Sequence, residues 1–279
     1  MRIYILTCQA LPLLGPDDSK LIVGLQEEGL EPIICIWDQQ EVPDNCWVLI
    51  RTIWDYTEKE DAFKEMLADF DQRHIKCLNS AETILWNMDK SYIKELHKRG
   101  CSVVETGIYY DFNLSQLAAK EVEYPLVIKP LIGASGHDTF LIDHTGQVEM
   151  ASVLVGRNVI VQPYMTSIIE KGELSFIYFF GEFSHCVLKT AAEGEFRIQA
   201  EHGGRVKEYS PSKKELRESA MLLEAVDHEW SYARVDMVED KGSLRLMELE
   251  LIEPELFFRF DPGSLKRFCA QLKHFVSNP

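Results

Sequence analysis

Short strand-like runs alternate with helical patterns over roughly the first 85 residues, and this alternation constrains the fold more than any other feature of the chain. Strands are predicted at residues 2–7, 31–36 and 46–50, and helices at residues 18–28 and 58–70. Such alternation indicates a parallel sheet, because parallel neighbours need a crossover connection between them. The fingerprint G-x-G-x-x-G does not follow the first strand, which argues against a dinucleotide-binding domain.

The pattern changes after this region, where strands come in succession and helices are set apart from them. A helix is predicted at residues 90–99, ended by Gly100. Strands are predicted at residues 103–105, 126–129, 139–142, 159–162, 174–180, 185–190, 232–238 and 244–252, and further helices at residues 213–227 and 263–276. Helices segregated from antiparallel strands predict an α+β arrangement for this part of the chain.

Composition and charge restrict the partners of the protein. The formal net charge of the 279 residues is −16, which argues against a protein that wraps nucleic acid. No apolar run approaches the ~20 residues that cross a bilayer, and the start MRIYILTC looks like a strand and not a signal peptide. We therefore expect a cytoplasmic protein that acts on small molecules, without a membrane or nucleic-acid partner.

The seven cysteines indicate neither a disulfide framework nor a zinc site. They are odd in number, widely scattered and form no C-x-x-C pair. Each is predicted to be a small buried apolar residue.

Two acidic strands near the C-terminus carry the strongest chemical signal. Strand side chains alternate, so Arg234 and Asp236 share one face of the first strand, and Glu248 and Glu250 share one face of the second. A turn at residues 239–243 would pair the strands and gather the three carboxylates around the guanidinium. Carboxylates suit Mg²⁺ and arginine suits phosphate. The alternative is an amphipathic hairpin with a solvated charged face.

The segment YPLVIKPLIGASGHDTF, residues 124–140, has the composition of a phosphate-binding loop. An apolar strand leads to Lys129, and Gly133, Ser135 and Gly136 follow in a loop of small residues. Small residues let backbone N–H groups approach a phosphate, and the lysine adds positive charge. The loop is not a Walker A motif, because no Gly-Lys-Ser/Thr follows the glycines. The alternative is an ordinary hairpin turn.

A third segment could bind an adenine and a ribose. A predicted strand runs into the sequence Gln162-Pro163-Tyr164-Met165, where the proline leaves backbone groups free of the ladder. Glu173, before the next strand, could accept hydrogen bonds from ribose hydroxyls. Taken alone, this segment is also compatible with a plain strand, turn and strand.

Candidate substrate contacts follow the third strand of the N-terminal region. Ligands of open α/β sheets gather at the carboxyl ends of strands. Five residues at this position are therefore predicted to contact the substrate or to support such contacts: Arg51, Thr52, Trp54, Asp55 and Tyr56. The alternative for Trp54 is packing over the core. Histidines that could also contact the substrate are His137, His185 and His202.

Together and in this order, these segments resemble the ATP-grasp superfamily, closest to its branch of RimK-type, glutathione-synthetase-like and D-alanine–D-alanine-ligase-like enzymes. The Met88-Asp89-Lys90 sequence resembles the start of the family's central helix. Residues 51–56 and 85–87 resemble a narrower group, which contains the ligase that closes the cycloserine ring. Many members have Asn where this chain has Glu250.

The resemblance implies a role for each matched residue. Arg234, Arg197 and Lys129 would act in catalysis, and Asp236, Glu248 and Glu250 would hold the metal. Residues 133–139 would form a phosphate lid. The implied ATP-binding residues are Lys90, Lys129, Ser135, Gly136, Gln162, Pro163, Tyr164, Met165, Glu173 and Lys189. The predicted substrate residues are Arg51, Thr52, Trp54, Asp55, Tyr56 and His202.

The resemblance also implies a three-part fold, an α/β domain joined to α+β parts that hold ATP between two β-sheets. Its predicted parts are an N-terminal α/β domain at residues 1–85, a central subdomain at 86–180 and a C-terminal subdomain at 181–279. The implied cofactors are ATP and Mg²⁺, with one or two ions and with Mn²⁺ able to substitute. The resemblance leaves open whether the chain forms a homodimer.

The implied activity is that of a ligase that activates a carboxylate as an acyl phosphate for attack by an amine or another nucleophile, within the same molecule or from a second one. No side-chain nucleophile is needed, in line with the absence of a Ser/His or Cys/His signature. The alternatives are a small-molecule kinase and a non-catalytic nucleotide-binding regulator. A regulator would have no need of the full set of charged residues.

Overall fold

A computed structural model describes residues 1–118, 123–134, 136–192, 194–195, 197–198 and 203–278. The N-terminal region forms a four-stranded parallel sheet. Its strands are β1 (Arg2–Thr7), β2 (Glu31–Ile36), β3 (Trp47–Ile50) and β4 (Lys76–Leu78), in the order β2-β1-β3-β4. The crossovers contain α1 (Leu21–Glu27) and α2 (Glu60–Gln72), with short 3-10 turns at Asp18–Lys20 and Trp54–Glu58. The prediction of a parallel α/β domain is confirmed.

Two helices then lead into a second, antiparallel sheet, called here the central sheet. The helices are α3 (Ala81–Met88), which begins where the Ser80 side chain accepts from the backbone N–H of Thr83, and α4 (Tyr92–Lys98). The sheet has the order β5-β8-β6-β7. Its strands are β5 (Gly107–Tyr109), β6 (Leu126–Pro130), β7 (Phe140–Ile142) and β8 (Val159–Pro163). Short helices border it: α5 (Ser115–Ala118), a 3-10 helix at Thr145–Leu154 and α6 (Ser167–Glu170).

The C-terminal region forms a five-stranded antiparallel sheet, called here the C-terminal sheet. Its strands are β9 (Glu173–Phe179), β10 (Glu182–Thr190), β11 (Arg205–Tyr209), β12 (Tyr232–Asp240) and β13 (Ser243–Glu250), in the order β11-β10-β9-β12-β13. Every residue of the middle strand β9 is buried, because both faces of the sheet are covered. The helices are α7 (Lys213–Glu224), which begins with a capping box of Ser212 and Glu215, and α8 (Ser264–Ser277).

One hydrophobic cluster joins the first and last thirds of the chain. Ile3 and Leu49 of the N-terminal sheet pack in the same core as Phe179 of the C-terminal sheet and Phe268 of α8. Each of these side chains is at most 1% exposed. Burial of a large apolar side chain stabilises by roughly 1.5–3 kcal/mol, so this shared core holds the two regions in a fixed arrangement.

The structure corrects several predicted elements. The prediction of a strand at residues 103–105 is wrong. Val103 makes only an isolated bridge to Leu246, and the strand lies later, at Gly107–Tyr109. The helix predicted to residue 227 ends at Glu224, and the strand predicted to residue 252 ends at Glu250. β4, β11 and α3 were not predicted.

The predicted boundary between the central and C-terminal subdomains can be compared with the strands of the C-terminal sheet. The predicted boundary at residue 180 falls in the turn between β9 and β10, two paired strands of the C-terminal sheet. The three-part division with these boundaries stays a prediction. No helix of the described residues is long and apolar enough to cross a membrane.

Candidate active site

The central sheet, the C-terminal sheet and the 3-10 turn after β3 line one cleft, with a volume of about 240 Å³. The C-terminal sheet supplies its acidic wall, with Asp236, Glu248 and Glu250. The central sheet supplies Lys129 and the segment from Gln162 to Met165 on the opposite side. The 3-10 turn after β3 supplies Trp54 and Tyr56.

The β12–β13 hairpin places the charged residues in the predicted arrangement. Asp236 lies opposite Glu248 in the register, and Arg234 lies opposite Glu250. The Arg234 guanidinium donates to both Asp236 oxygens at 3.0–3.1 Å and also contacts the Glu250 carboxylate. The Ser175 hydroxyl, on β9, donates to Asp236 Oδ1 at 2.5 Å. The strand pattern therefore produces a gathered cluster of charges and not a solvated face.

Lysines from both sheets and from the connection between α3 and α4 line the cleft beside this cluster. Lys189 Nζ lies 2.5 Å from Glu173 Oε1 and 3.1 Å from Asp236 Oδ2. Lys90 Nζ lies 3.1 Å from Glu248 Oε1 and donates to the Gly133 carbonyl at 2.5 Å. Among the described residues the Lys129 ammonium makes no ion pair, and burial lowers its pKa. The positive charge of the cleft is thus held mostly by carboxylates.

The three carboxylates differ in how well they are neutralised. Burial alone would raise the pKa of Asp236, but Arg234 and Lys189 outweigh it and lower that pKa to about 2. Burial would likewise raise the pKa of Glu248, but Lys90 and Lys129 lower it. For Glu250, burial and the neighbouring Glu248 outweigh Arg234, and the pKa rises to about 8.

This excess of negative charge fits a divalent cation. Hard divalent ions bind oxygen ligands. The positive charge of such an ion would favour the ionised form of Glu250. As they stand, Asp236 and Glu250 engage Arg234 and Glu248 engages Lys90. No three acidic, histidine or cysteine side chains of the described chain surround a metal position by themselves. A substrate phosphate would have to complete the shell.

The residues predicted to bind the adenine and the ribose also line the cleft. Gln162, Pro163, Tyr164 and Met165 all line it, and the Gln162 side chain donates to Thr106 Oγ1 at 2.9 Å. Glu173 begins β9 at the cleft edge, opposite Lys189 in the register. Gly172, with a φ of +84°, lets the backbone of Lys189 come within 2.4 Å of where a Cβ would stand. A larger residue there would displace Glu173.

Helices α3 and α4 fix the acidic strand from behind. The Asn87 side chain donates to the Leu249 carbonyl at 2.9 Å and accepts from the Leu251 N–H at 2.8 Å. The Tyr92 hydroxyl donates to the Leu249 carbonyl and accepts from the Leu249 N–H, both at 2.9 Å. These bonds set the direction in which Glu248 and Glu250 point.

The residues predicted to contact the substrate divide into two groups. Trp54 and Tyr56 line the cleft. Arg51 is fully buried, pairs with Asp18 at 3.1 Å and donates to the Pro254 carbonyl at 2.6 Å. The Thr52 hydroxyl lies 2.6 Å from that of Thr7, and Asp55 accepts from Trp37 and Lys59. Arg51, Thr52 and Asp55 therefore have structural partners and do not line the cleft.

Three other predicted residues, two of them from residues 133–139, also line the cleft. Gly136 and His137 line the cleft. Arg197 also lines it and pairs with Glu195 at 2.9 Å. Ser135 and His202 lie outside the described residues. His185, on β10, is buried and does not line the cleft, and its Nε2 lies 3.0 Å from the Leu256 carbonyl oxygen.

The sequence interpretation missed two residues of the site. Glu253, in the Ile-Glu-Pro-Glu sequence after β13, is buried and lines the cleft. Ser175 orients Asp236 from the neighbouring strand. The charged residue before Pro254 was a visible signal for Glu253, whereas the β9–β12 pairing that brings Ser175 to Asp236 could not be seen in the sequence.

Family comparisons agree with this geometry. The model of the RimK-like ATP-grasp domain matches residues 89–254, and the model of the N-terminal domain of D-cycloserine synthetase DcsG matches residues 3–79. The first match covers more than half of the chain and includes the acidic hairpin, the lysines and the predicted lid.

Known proteins with similar sequences or structures cover the whole chain. The cycloserine biosynthesis protein DcsG of Streptomyces lavendulae is 25% identical over 301 residues, which cover 98% of each chain. The crystal structure of D-cycloserine synthetase DcsG matches with a TM-score of 0.87 at 22% identity, over 99% of this chain and 100% of that one. D-alanine–D-alanine ligase from Bacillus anthracis matches with a TM-score of 0.67 at 17% identity, over 99% and 96%. At these identities the two structures show a shared fold.

Proposed function

The chain belongs to the RimK-like ATP-grasp family, and from this premise we propose that it is an ATP-dependent ligase. It uses ATP and a divalent metal to activate the carboxylate of a small molecule as an acyl phosphate, which an amine or another nucleophile then attacks. We propose Mg²⁺ as the metal, with one or two ions bound and with Mn²⁺ as a substitute. The substrates are small molecules.

The observation that carries this proposal is the mutual pairing of cations and carboxylates in the cleft. Lys90, Lys189 and Arg234 are each held by a carboxylate. Mg-ATP carries both negative phosphates and a positive metal ion. The phosphate oxygens could therefore pair with the three cationic side chains, and the released carboxylates would then be available to hold the metal. The exchange leaves no buried charge without a partner, which the desolvation of ions in a cleft requires.

Each part of the chain then has a defined task in phosphoryl transfer. Lys90, Lys129, Lys189 and Arg234 bind the phosphates, and Asp236, Glu248 and Glu250 would hold Mg²⁺. The metal supplies charge neutralisation for the transferred phosphoryl group. Gln162 to Met165 bind the adenine edge and Glu173 the ribose hydroxyls. Residues 133–139 cover the phosphates, and Arg197 approaches the phosphate or the acid from the C-terminal side.

The chemistry balances without a protein nucleophile. A carboxylate oxygen of the substrate attacks the terminal phosphorus, the bond from that phosphorus to ADP breaks, and an acyl phosphate results. The nucleophile then attacks the acyl carbon and phosphate leaves, while the proton of the nucleophile is lost to solvent or to phosphate. The side chains contribute positioning and charge stabilisation, as in phosphoryl transfer generally.

A turnover assay with a panel of carboxylic acids tests the proposal. The purified chain is incubated with Mg-ATP, each acid alone and each acid with an amine, and the release of ADP and phosphate is measured. We expect ADP and free phosphate in equal amounts with a productive acid. Glu248→Gln should lower the release roughly a hundredfold or more with every acid. A panel that gives no acid-dependent ADP, although Mg-ATP binds, would contradict the ligase activity.

The same assay separates the remaining forms of the reaction. A kinase would accumulate a stable phosphate product instead of free phosphate. An intermolecular ligase would need two organic substrates, whereas a ring-closing ligase would need one. The name of the DcsG relative refers to cycloserine, so a single substrate that carries both acid and nucleophile belongs in the panel.

A further inference from the structure

Phe257 has a backbone conformation that a bulky residue rarely adopts. It stands just before a 3-10 turn at Phe258–Phe260, and its φ of +52° and ψ of +35° lie in the left-handed region. A large side chain occupies this region at a cost in free energy, so surrounding contacts must impose it, and such residues cluster at functional sites. The side chain of Phe257 is 2% exposed and lines the cleft. The strained backbone therefore lies at the proposed site.

A carboxylate of the N-terminal region holds the turn in this conformation. Asp17, just before the 3-10 turn that leads into α1, is buried. Its two oxygens accept from the backbone N–H groups of Phe258 at 2.7 Å and Arg259 at 3.0 Å. Hydrogen bonds to an ionised acceptor are roughly twice as strong as those between neutral groups. Within the turn, the Phe260 N–H donates to the Phe257 carbonyl at 3.0 Å. These contacts fix the position of the Phe257 ring.

The ring in turn faces the guanidinium of Arg234. The guanidinium carbon lies over the Phe257 ring, 5.6 Å from its centroid. A cation within about 6 Å of a ring centroid is attracted by the negative face of the ring, more strongly where both are desolvated. Both side chains are buried. Contact with a ring face uses no N–H group, so the guanidinium keeps its donors for oxygen ligands.

The ring contact would gain importance when the cleft is loaded. In the proposed nucleotide complex, Asp236 and Glu250 turn from Arg234 to the metal. Two of the described contacts of Arg234 do not involve these carboxylates: the Phe257 ring, and the Glu255 carbonyl, to which Nη1 donates at 3.3 Å. Both lie in the segment after β13. That segment would keep the guanidinium in place, whereas a freed side chain would have to be ordered again by the phosphate at an entropic cost.

We propose that Phe257 is a positioning residue for Arg234. Asp17 holds its strained backbone, and its ring holds the guanidinium in the orientation that binds the phosphates of ATP. This inference rests on the proposed ligase function and adds a positioning residue to the same site. It also gives the N-terminal region a part in nucleotide binding, because Asp17 acts on Arg234 through the turn after β13.

Replacement of the ring by an aliphatic side chain tests this assignment. The Kd for Mg-ATP is measured by titration calorimetry for the wild type and for Phe257→Leu. We expect the Kd to rise about tenfold, which corresponds to the loss of a desolvated cation–π contact. Asp17→Asn leaves the ring in place but removes the charge that holds the turn, and it should raise the Kd in the same direction.

Phe260→Leu is the matched control. Phe260 ends the same 3-10 turn, and the Arg259 guanidinium carbon lies 4.7 Å from its ring centroid. In the described part of the chain Phe260 does not line the cleft. The same substitution there removes a ring and a cation–π contact without affecting Arg234, so the Kd should stay within about twofold. Similar melting temperatures of Phe257→Leu and Phe260→Leu would show that altered stability does not cause the difference in Kd.

A double-mutant cycle separates the positioning of Arg234 from a general structural role of the ring. Phe257→Leu is combined with Arg234→Gln, and its effect on the Kd for Mg-ATP is measured again. We expect a change of less than about twofold in this background, because no guanidinium is left for the ring to hold. A rise as large as in the wild-type background would mean that the ring does not act through Arg234, and the inference would fail.

The single variants also decide the question without the cycle. Equal Kd values for Phe257→Leu and Phe260→Leu would overturn the inference even if Arg234→Gln does not fold. If Phe257→Leu does not fold, Asp17→Asn takes its place in each comparison. In either case the proposed function stands as long as the wild type binds Mg-ATP. A wild-type chain that does not bind Mg-ATP would instead refute the proposed function itself, before any variant is compared.

Discussion

The residues of the acidic hairpin differ in how much of the fold depends on them. Asp236 is 2% exposed and engages Arg234, Lys189 and Ser175, whereas Glu248 is half-buried and engages Lys90. Breaking a buried pair costs about 3–5 kcal/mol, because an unpaired charge is left behind. A more exposed pair contributes about 0–1 kcal/mol. Removal of either carboxylate should therefore lower activity to a similar extent, but removal of Asp236 should lower the free energy of unfolding more than removal of Glu248.

We expect Asp236→Asn to lower the free energy of unfolding by about 3 kcal/mol and Glu248→Gln by about 1 kcal/mol or less. Both should lower ADP release roughly a hundredfold or more, because each removes a charge that acts on the transferred phosphoryl group. Asp240→Asn, at the outer end of β12, is the control and should keep activity. Urea unfolding and turnover at equal Mg²⁺ measure both effects. Wild-type turnover in the two site variants would make the hairpin a structural feature only.

His185 contributes a pH dependence to stability that is independent of catalysis. Burial lowers its pKa below the usual 6.5, although Asp261 opposes this effect, and Arg267 adds to it. The unfolded chain therefore binds the proton more readily, so stability is lost as the pH falls below about 6.5. The neutral ring satisfies both neighbours, donating from Nε2 to the Leu256 carbonyl and accepting at Nδ1 from Ser184.

We expect His185→Gln to reduce the fall in melting temperature between about pH 7.5 and 5.5. His274→Gln, on the exposed face of α8, is the matched control and should keep the wild-type dependence. Thermal unfolding in a series of buffers at constant ionic strength measures the difference. Parallel curves for wild type and His185→Gln would show that other groups determine the acid sensitivity.

At the level of elements, the proposed lid depends on its backbone more than on its side chains. Gly136 has a φ of +67°, which a β-branched residue adopts only at a cost of roughly 1–2 kcal/mol. The segment at residues 133–139 is rich in small residues, so contacts with phosphate must offset the entropy of ordering it. We expect its amide exchange to slow when Mg-ATP binds.

Gly136→Val should lower turnover roughly a hundredfold, because a displaced lid misplaces the reacting groups, while stability falls only slightly. Gly181→Val is the matched control, since Gly181 has a φ of +87° in the turn between β9 and β10 with no heavy atom near its Cβ position. It should impose a similar strain and leave turnover intact. Equally slow exchange of residues 133–139 with and without Mg-ATP would contradict the lid.

The elements also show which parts of the fold the sequence can predict. β12 and β13 were found because charged and apolar residues alternate over a full strand, and the register then placed Asp236 opposite Glu248. β4 has three residues and β11 is polar, so neither presents a pattern long enough to recognise. Burial of Glu253 depends on residues far away in the sequence, and no local pattern contains that information.

On the scale of the whole molecule, the cleft joins regions that a shared core holds together. The N-terminal sheet packs with α8 and the C-terminal sheet, while Arg51 reaches the loop after β13. A ligand in the cleft contacts the central and C-terminal sheets at once. Its binding should therefore stabilise the chain as a unit and raise a single unfolding transition.

We expect Mg-ATP at about a hundred times its Kd to stabilise the fold by about 2.7 kcal/mol, which raises the melting temperature by roughly 5–10 °C. ATP with a chelator should raise it much less, because Asp236, Glu248 and Glu250 then repel the phosphates without a cation between them. Mg-tripolyphosphate, which lacks the adenosine that Gln162 to Met165 and Glu173 would bind, should fall between the two. Equal shifts with and without metal would show that the carboxylates do not hold a cation. A chain that Mg-ATP does not stabilise at any concentration would lack the proposed nucleotide site, because a ligand that binds the folded state alone must stabilise it.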